Sequence, residues 1–283
     1  MSRELTYHRT RLVRSDQLTP HLRRIVLSGD ELDGWSSSGV PDEAVLLAIP
    51  DATGAVDVPG PHNDHSYDNC RWYTVRHFDA DRGELTIDVV GHDIGLATRW
   101  TRRAHPGDEV AVSSVRHWYA LPADARWQLL VGDITAVPAI ARMLDERPDV
   151  PTVVRIEISD PRDEVPLAAA DHVSIEWVHN AGPSRLDELT RSADLPAGPG
   201  YTFAAGEAAA TRGVRRYLRH ELGLPTARYS VVGYWRDRSE EWFEKYRESG
   251  IDLEAIYAAG EAAGKDAEEL ADEVDRHLLA AGL

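Results

Sequence analysis

Arg71-Trp72-Tyr73-Thr74-Val75-Arg76 gathers several kinds of side-chain chemistry into six residues. A guanidinium presents five donors in a rigid fork that matches phosphate oxygens. A tyrosine ring offers a flat apolar face with a hydroxyl at its tip. A threonine hydroxyl can donate to, or accept from, a ring nitrogen. Together they suit a phosphate-bearing redox ring such as a flavin. Arg71 would meet the phosphate, Tyr73 the ring or ribityl chain, and Thr74 the N5 edge where electrons enter and leave. The same residues also make an ordinary strand, with Trp72 and Thr74 on one face and Arg71, Tyr73 and Val75 not cleanly sorted. Alone they do not decide between the two.

Three further stretches bear on the choice. From Gly95 to Ala104 no Gly or Pro follows the first residue, so a short helix is expected. Gly95 lets backbone approach closely and Thr98 adds a hydroxyl, so this N-terminus can seat a phosphate. A plain barrel-capping helix explains it equally well. Gly132-Asp133-Ile134-Thr135-Ala136-Val137-Pro138-Ala139-Ile140 joins a strand to a helix, with Thr135 as the expected N-cap and Pro138 in the first turn. Free amides there would face a dinucleotide pyrophosphate; a capped strand-to-helix turn with nothing bound is the alternative. The stretch is not G-x-G-x-x-G, which counts against an ordinary Rossmann dehydrogenase. Ala204-Ala205-Gly206-Glu207 is the comparable strand end. His62-Asn63-Asp64-His65 is a tight histidine pair with no third ligand nearby in sequence, and no metal centre is expected. Cys70 is the single cysteine, which excludes an intrachain disulfide or an iron–sulfur cluster.

The elements that must position these residues fall into three groups. Short β-branched runs separated by turns cover residues 5–120: Leu12-Val13, His21 to Leu27, Ala44 to Ile49, Leu85 to Val90 and Val110 to Ser113. They predict an antiparallel β-barrel of the six-stranded type. Over 125–236, runs at Gln128–Val131, Thr152–Ser159, His172–Val178, Tyr201–Ala205 and Tyr229–Gly233 alternate with helical stretches. This predicts a parallel α/β sheet, with ligands beyond its C-terminal strand ends. From Asp237 the chain reads as helix, Ser239 to Glu248 and then Leu253 to Leu279, with its apolar stripe expected to pack on the protein or on a second copy and its acidic face in solvent. The expected division is 1–122, 123–236 and 237–283.

The chain has 283 residues, enough for two domains, and a formal net charge of −17. That charge argues against a nucleic-acid binder or a polybasic membrane binder. No apolar run approaches spanning length and Met1-Ser2-Arg3-Glu4 lacks a signal-peptide core, so a cytoplasmic protein is expected.

From Arg3 to Arg236 the order and spacing of motifs resemble the siderophore-interacting proteins, flavin-dependent ferric-siderophore reductases of the ferredoxin–NADP reductase superfamily. The residues carrying the resemblance are Arg71-x-Tyr73-Thr74-x-Arg76, Gly95-x-x-Thr98-Arg99-Trp100, and Gly132-Asp133-x-Thr135-Ala136-x-Pro138-Ala139-Ile140. They continue with Ala205-Gly206-Glu207, Arg212, Arg215, Arg216 and Tyr217, and end at Gly233-Tyr234-Trp235-Arg236. The resemblance implies a β-barrel FAD domain, an NAD(P)-binding-like domain and non-covalent FAD. It implies that Arg71, Trp72, Tyr73, Thr74, Val89, Val90, His92, Gly95, Leu96, Ala97, Thr98, Asp133, Thr135, Ala136 and Trp235 contact FAD, Thr74 also serving catalysis. Gly132, Pro138, Gly206 and Glu207 would form the NAD(P) side. Two departures stand out: Ser113 to Trp118 replaces a usual Gly-Pro pair, and Asp237-Arg238 stand where a Gly is usual.

The implied reaction is reduction of chelated Fe(III), which weakens the hold of hard oxygen ligands. A flavin converts a two-electron hydride donor into single electrons, so NAD(P)H or a reduced ferredoxin would be the donor and no protein iron ligand is required. Arg76, Arg99, Arg102, Arg103, Arg236 and Arg238 would attract an anionic chelate. A solvated or ion-paired Arg is the plain alternative for each. Rival readings are a general NAD(P)H–flavin oxidoreductase, a non-catalytic flavin or siderophore carrier, and an interaction protein working through its acidic tail. A monomer or weak homodimer is expected.

Overall fold

The computed structural model describes residues 5–59, 69–91, 95–146 and 149–283. Met1 to Glu4, the His62–His65 pair and His92 lie outside those residues. Strands β1 (Tyr7–Gln17) and β2 (Leu22–Ser28) are parted at Leu18-Thr19-Pro20, where proline cannot continue the ladder. Then come β3 (Ala44–Ala48), β4 (Cys70–Asp79), β5 (Glu84–Val90) and β6 (Glu109–Ser113). They close in the order β1-β2-β5-β4-β3-β6, all neighbours antiparallel. Closure leaves no strand edge exposed. Alternate residues point inward, so Leu12, Ile25, Leu27, Val45, Leu47, Val75, Ile87 and Val112 fill the interior. Helix α1 (Leu96–Arg103) adds Ala97 and Trp100 to that core.

The second half alternates as its sequence predicts: β7 (Trp127–Asp133), α2 (Val137–Asp145), β8 (Thr152–Ile158), β9 (Val173–His179), α3 (Leu186–Arg191), β10 (Gly200–Glu207), α4 (Ala208–Arg216) and β11 (Tyr229–Trp235). The five strands are parallel, in the order β11-β10-β7-β8-β9. The chain therefore moves outward through β8 and β9, then returns to the other side of β7. Such a reversal opens a crevice beyond the strand ends. Ile140, Met143 and Leu144 of α2 cover one face of the sheet, and Leu186, Leu189, Val214 and Leu218 cover the other.

The tail departs from expectation. Instead of one helix over 253–279 it forms α6 (Leu253–Ala262) and α7 (Ala267–Ala280), after α5 (Ser239–Ser249). Gly264 takes a left-handed φ of 75°, which stops α6. Asp266 and Glu269 then form a reciprocal capping box that starts α7. Nor is the acidic face all solvated, because Glu268 and Asp275 turn inward onto Arg215 of α4. Among the described residues, no helix is long and apolar enough to cross a membrane.

Candidate functional site at the barrel–sheet seam

The register of β4 sorts the residues that alternation left open. Tyr73 pairs with Val45 and Arg71 with Leu47, on the side that fills the barrel; Thr74 pairs with Ala44 and Trp72 with Leu46, on the other. Arg71, at the strand's start, is exposed, and its Nη1 donates to the Cys70 carbonyl at 2.7 Å. Tyr73 packs at the edge of the barrel core, and burial raises the pKa of its phenol. Trp72 is partly exposed, edge-on to Trp118 at 6.4 Å and 5.4 Å beneath Arg116. Thr74 is buried against Tyr234 of β11, whose phenol burial likewise keeps neutral. The barrel strand and the parallel sheet thus meet at the threonine. Cys70 is also buried, its thiol pushed up to about 11 by burial, so it offers no thiolate.

Helix starts differ sharply along the seam. Gly95 is the N-cap of α1; no side chain caps it, and the first turn carries no acid. Ala97 and Thr98 are buried, as is Val89 on β5. A Cβ on Gly91 would come within 3.7 Å of the Thr98 side chain, so strand end and helix start approach closely. A helix start that no side chain caps, among the described residues, suits a pyrophosphate.

The strand-end amides expected to face a dinucleotide pyrophosphate are in part spoken for. Asp133, not Thr135, is the cap: its carboxylate accepts Thr135 N at 2.8 Å and the Thr135 hydroxyl at 2.5 Å. Its other oxygen accepts Glu207 N at 2.9 Å and Trp235 Nε1 at 2.6 Å. Burial raises the pKa of Asp133, against the pull of those four donors. Glu207 in turn caps α4 through Ala209 N and Ala210 N. Of the amides expected to be free, those of Thr135, Glu207, Ala209 and Ala210 are taken by the two carboxylates, whereas no side chain caps the start of α2 at Ala136. Gly206 is required by this arrangement, since a Cβ there would sit 2.6 Å from Asp133 Oδ2. Gly132, Ala136 and Pro138 are packed in the interior.

Beyond these strand ends lies a cleft of about 710 Å³. Val90 and Gly91 of the barrel wall one side, and Trp242 of α5 another. Asp133, Glu157 and Glu207 line its base, with Arg212, Arg236 and Arg238 also on its surface. Arg236 stacks 4.0 Å over Trp242; burial and then the neighbouring Arg212 lower its pKa. Arg212 Nη1 donates to the Leu283 carbonyl at 2.6 Å. Arg215 is buried in the tail contact. Arg76 pairs with Asp145 of α2, so it bridges barrel and sheet. Arg99, Arg102 and Arg103 are exposed on α1. The two departures settle locally. Trp118 N and Tyr119 N both bond Asp42 Oδ2 at 2.9 Å. Arg238 takes a left-handed φ of 47°, which accounts for a glycine preference there.

His21, Asp160 and Asp163 bring ligand-type atoms within 4.8 Å of one another. Asp163 Oδ1 accepts from Thr19 and His21 N, and its Oδ2 lies 2.7 Å from His21 Nδ1, while Arg162 binds Asp160. The group latches the β1–β2 turn to the segment after β8. Spacing alone gave no sign of Tyr234 behind Thr74, of Asp42, or of Trp242 in the cleft wall, because these contacts join segments far apart in sequence.

A closed six-stranded barrel followed by a parallel five-stranded sheet is the architecture of the ferredoxin reductase-like flavoproteins. A ferredoxin–NADP⁺ reductase from Neisseria gonorrhoeae shares it at a TM-score of 0.61 and 13% identity over 81% of this chain and 99% of that one. Residues 11–116 match the siderophore-interacting FAD-binding domain and residues 125–238 the siderophore-interacting protein model. An uncharacterized protein of Mycobacterium tuberculosis is 32% identical over 88% of this chain and 97% of its own length. A siderophore utilization protein from T. fusca is similar in structure, with a TM-score of 0.71 and 30% identity over 83% of this chain and 94% of that one. The NADPH-dependent ferric-chelate reductase of Escherichia coli is 29% identical over 82% of this chain and 94% of its own. The chain belongs to the siderophore-interacting protein family.

Proposed function

We propose that this protein is an FAD-dependent oxidoreductase that reduces Fe(III) held in siderophore-type chelates. The observation that carries the reading is the seam itself. Arg71, Tyr73 and Thr74 lie on one barrel strand, Thr74 meets β11, and the uncapped start of α1 lies beside the end of β5. Arg71 and the α1 amides would hold the phosphates, Tyr73 would support the ring or ribityl chain, and Thr74 would bond the N5 edge. Bound FAD would accept an electron pair and release electrons one at a time. Exposed Arg99, Arg102 and Arg103 give an otherwise acidic molecule a local attraction for an anionic chelate. A nicotinamide dinucleotide would enter the cleft with its phosphates toward Arg236 and Arg238 rather than toward the acid-capped strand ends. The E. coli relative, a ferric-chelate reductase by name and NADPH-dependent, supports both the reaction and this donor.

The deciding experiment adds FAD to the purified chain and records the visible spectrum. NADPH, NADH or reduced ferredoxin is then added anaerobically, followed by a ferric siderophore. Bleaching by one donor and recovery on adding the chelate is the expected sequence. A chain that binds no FAD at micromolar concentration overturns the reading; so does bound flavin that no donor bleaches. Equal turnover of ferric citrate would move it to a general flavin reductase.

A further inference from the structure

Val75, the residue after Thr74, has both backbone groups bonded to the two residues of an ion pair that spans the seam, its N–H to the backbone of one and its carbonyl to the guanidinium of the other. Its N–H donates to the Glu43 carbonyl at 2.8 Å, and its carbonyl accepts from Arg142 Nη1 at 2.9 Å. That same nitrogen donates to Glu43 Oε1 at 2.8 Å. Glu43 is fully buried just ahead of β3, whereas Arg142 comes from α2 and is 9% exposed. The remaining Glu43 valences go to the Ser37 hydroxyl and to the amide and hydroxyl of Ser38. The register of β4 against β5 shifts between Val75 and His77, so the ladder is irregular where this clamp acts. A bulged strand lacks the regular pairing that would otherwise fix its side chains.

We propose that Arg142 is a positioning residue: docked from α2 onto Glu43 and the Val75 carbonyl, it fixes the backbone that presents Thr74 to the flavin N5 edge. The proposal rests on the FAD reading above. It adds that the sheet half, not the barrel alone, sets the geometry of the barrel's redox residue. The pair is costly to break, because a buried carboxylate left alone keeps its desolvation penalty. A structural role and a positioning role therefore have to be separated by design.

Three full-length variants do so. Arg142→Met leaves Glu43 unpaired. Glu43→Gln with Arg142→Met removes both charges but still leaves the Val75 carbonyl without its donor. Arg142→Lys keeps a cationic donor able to reach both oxygens. The readouts are thermal stability, the fine structure of the bound-flavin absorption bands, and FAD affinity by titration. The double variant is expected to recover most of the stability lost in Arg142→Met, yet to show shifted flavin bands. Its FAD affinity should fall about five- to tenfold, the size of one lost hydrogen bond. Arg142→Lys should restore the bands. A folded double variant with the flavin spectrum and FAD affinity of the unmodified chain overturns the proposal, as does one whose bands recover only in step with stability. If the unmodified chain itself binds no FAD, the functional reading fails first and is recognised by that result.

Discussion

At the residue scale, two buried oxygens set testable behaviour. Thr74 is the residue assigned to N5, and Thr74→Ala removes a single hydroxyl from a buried site. The variant should still bind FAD, while anaerobic stopped-flow reduction of the flavin slows about three- to tenfold, the equivalent of one hydrogen bond. An unchanged rate removes Thr74 from the redox edge. Asp42 is the second. Its carboxylate is buried, Oδ2 takes two amides, and Oδ1 has no partner among the described residues, so burial raises its pKa to about 6 against the pull of those amides and of His117. A carboxyl whose folded pKa lies above its unfolded value favours folding most when protonated. That contribution is complete below pH ~4 and is lost as pH rises to ~6. At 1.36 kcal/mol per unit the loss is about 3 kcal/mol. Asp42→Asn mimics the protonated form, since its amide oxygen can still accept Trp118 N and Tyr119 N. Urea melts should show it more stable than the parent at pH 7.5 and equal at pH 4; equal stability at both leaves no penalty at Asp42. Nothing in the stretch Val40-Pro41-Asp42-Glu43 announces a buried acid, because its partners are the amides of residues 118 and 119.

At the scale of elements, the contrast between helix starts is the most useful finding. Asp133 and Glu207 take amides beyond β7 and β10, whereas among the described residues no side chain caps Gly95 at the start of α1 or Ala136 at the start of α2. Gly95→Asp tests whether an anion belongs there. Gly95 has extended φ and ψ, so Asp can adopt its conformation and cap the helix, which by itself stabilises by a few tenths of a kcal/mol over glycine. It also places a carboxylate where the pyrophosphate would sit. FAD affinity should fall at least about tenfold with no loss of thermal stability. Unchanged affinity would place the phosphates elsewhere. Element type and order were largely legible from the sequence, because short β-branched runs bounded by turns, such as Leu22 to Leu27, and alternating βα segments leave patterns in the chain itself. Motif residues could be located to a strand or helix end. What they bond could not: Asp133 and Thr135 look alike as caps until Glu207 and Trp235, more than seventy residues away, are seen to claim the aspartate. The split between α6 and α7 was foreshadowed by Gly264 and Asp266, but the helical spacing of Leu253, Ile256 and Leu270 ran across it.

At the scale of the whole molecule, the question is whether the acidic tail is an appendage or part of the folded body. Its apolar spacing predicts packing on the protein or on a second copy, and its charge a solvated acidic face. The structure instead turns Glu268 and Asp275 of α7 onto Arg215, whose guanidinium also reaches the Val231 carbonyl, while Glu268 accepts Val231 N at 2.8 Å. The tail therefore completes hydrogen bonds on β11, the strand that leads directly to Tyr234 and Trp235. Burial raises the pKa of Glu268 although Arg215 opposes it, so the pair persists only because each partner compensates the other. Arg215→Met should accordingly cost about 3–5 kcal/mol, since the buried Glu268 and the half-buried Asp275 lose their cation. Combining it with Glu268→Gln and Asp275→Asn should return most of that stability, because no buried charge then remains unpaired. If the tail is integral to the sheet, guanidinium unfolding of the full chain stays a single transition, and Arg215→Met shifts the midpoint for tail and sheet together. A tail acting only as a partner surface predicts a different result: Arg215→Met would detach α7 at low denaturant, leaving the midpoint followed at the flavin unchanged. Tryptophan fluorescence and flavin absorbance, recorded on the same samples, distinguish the two outcomes.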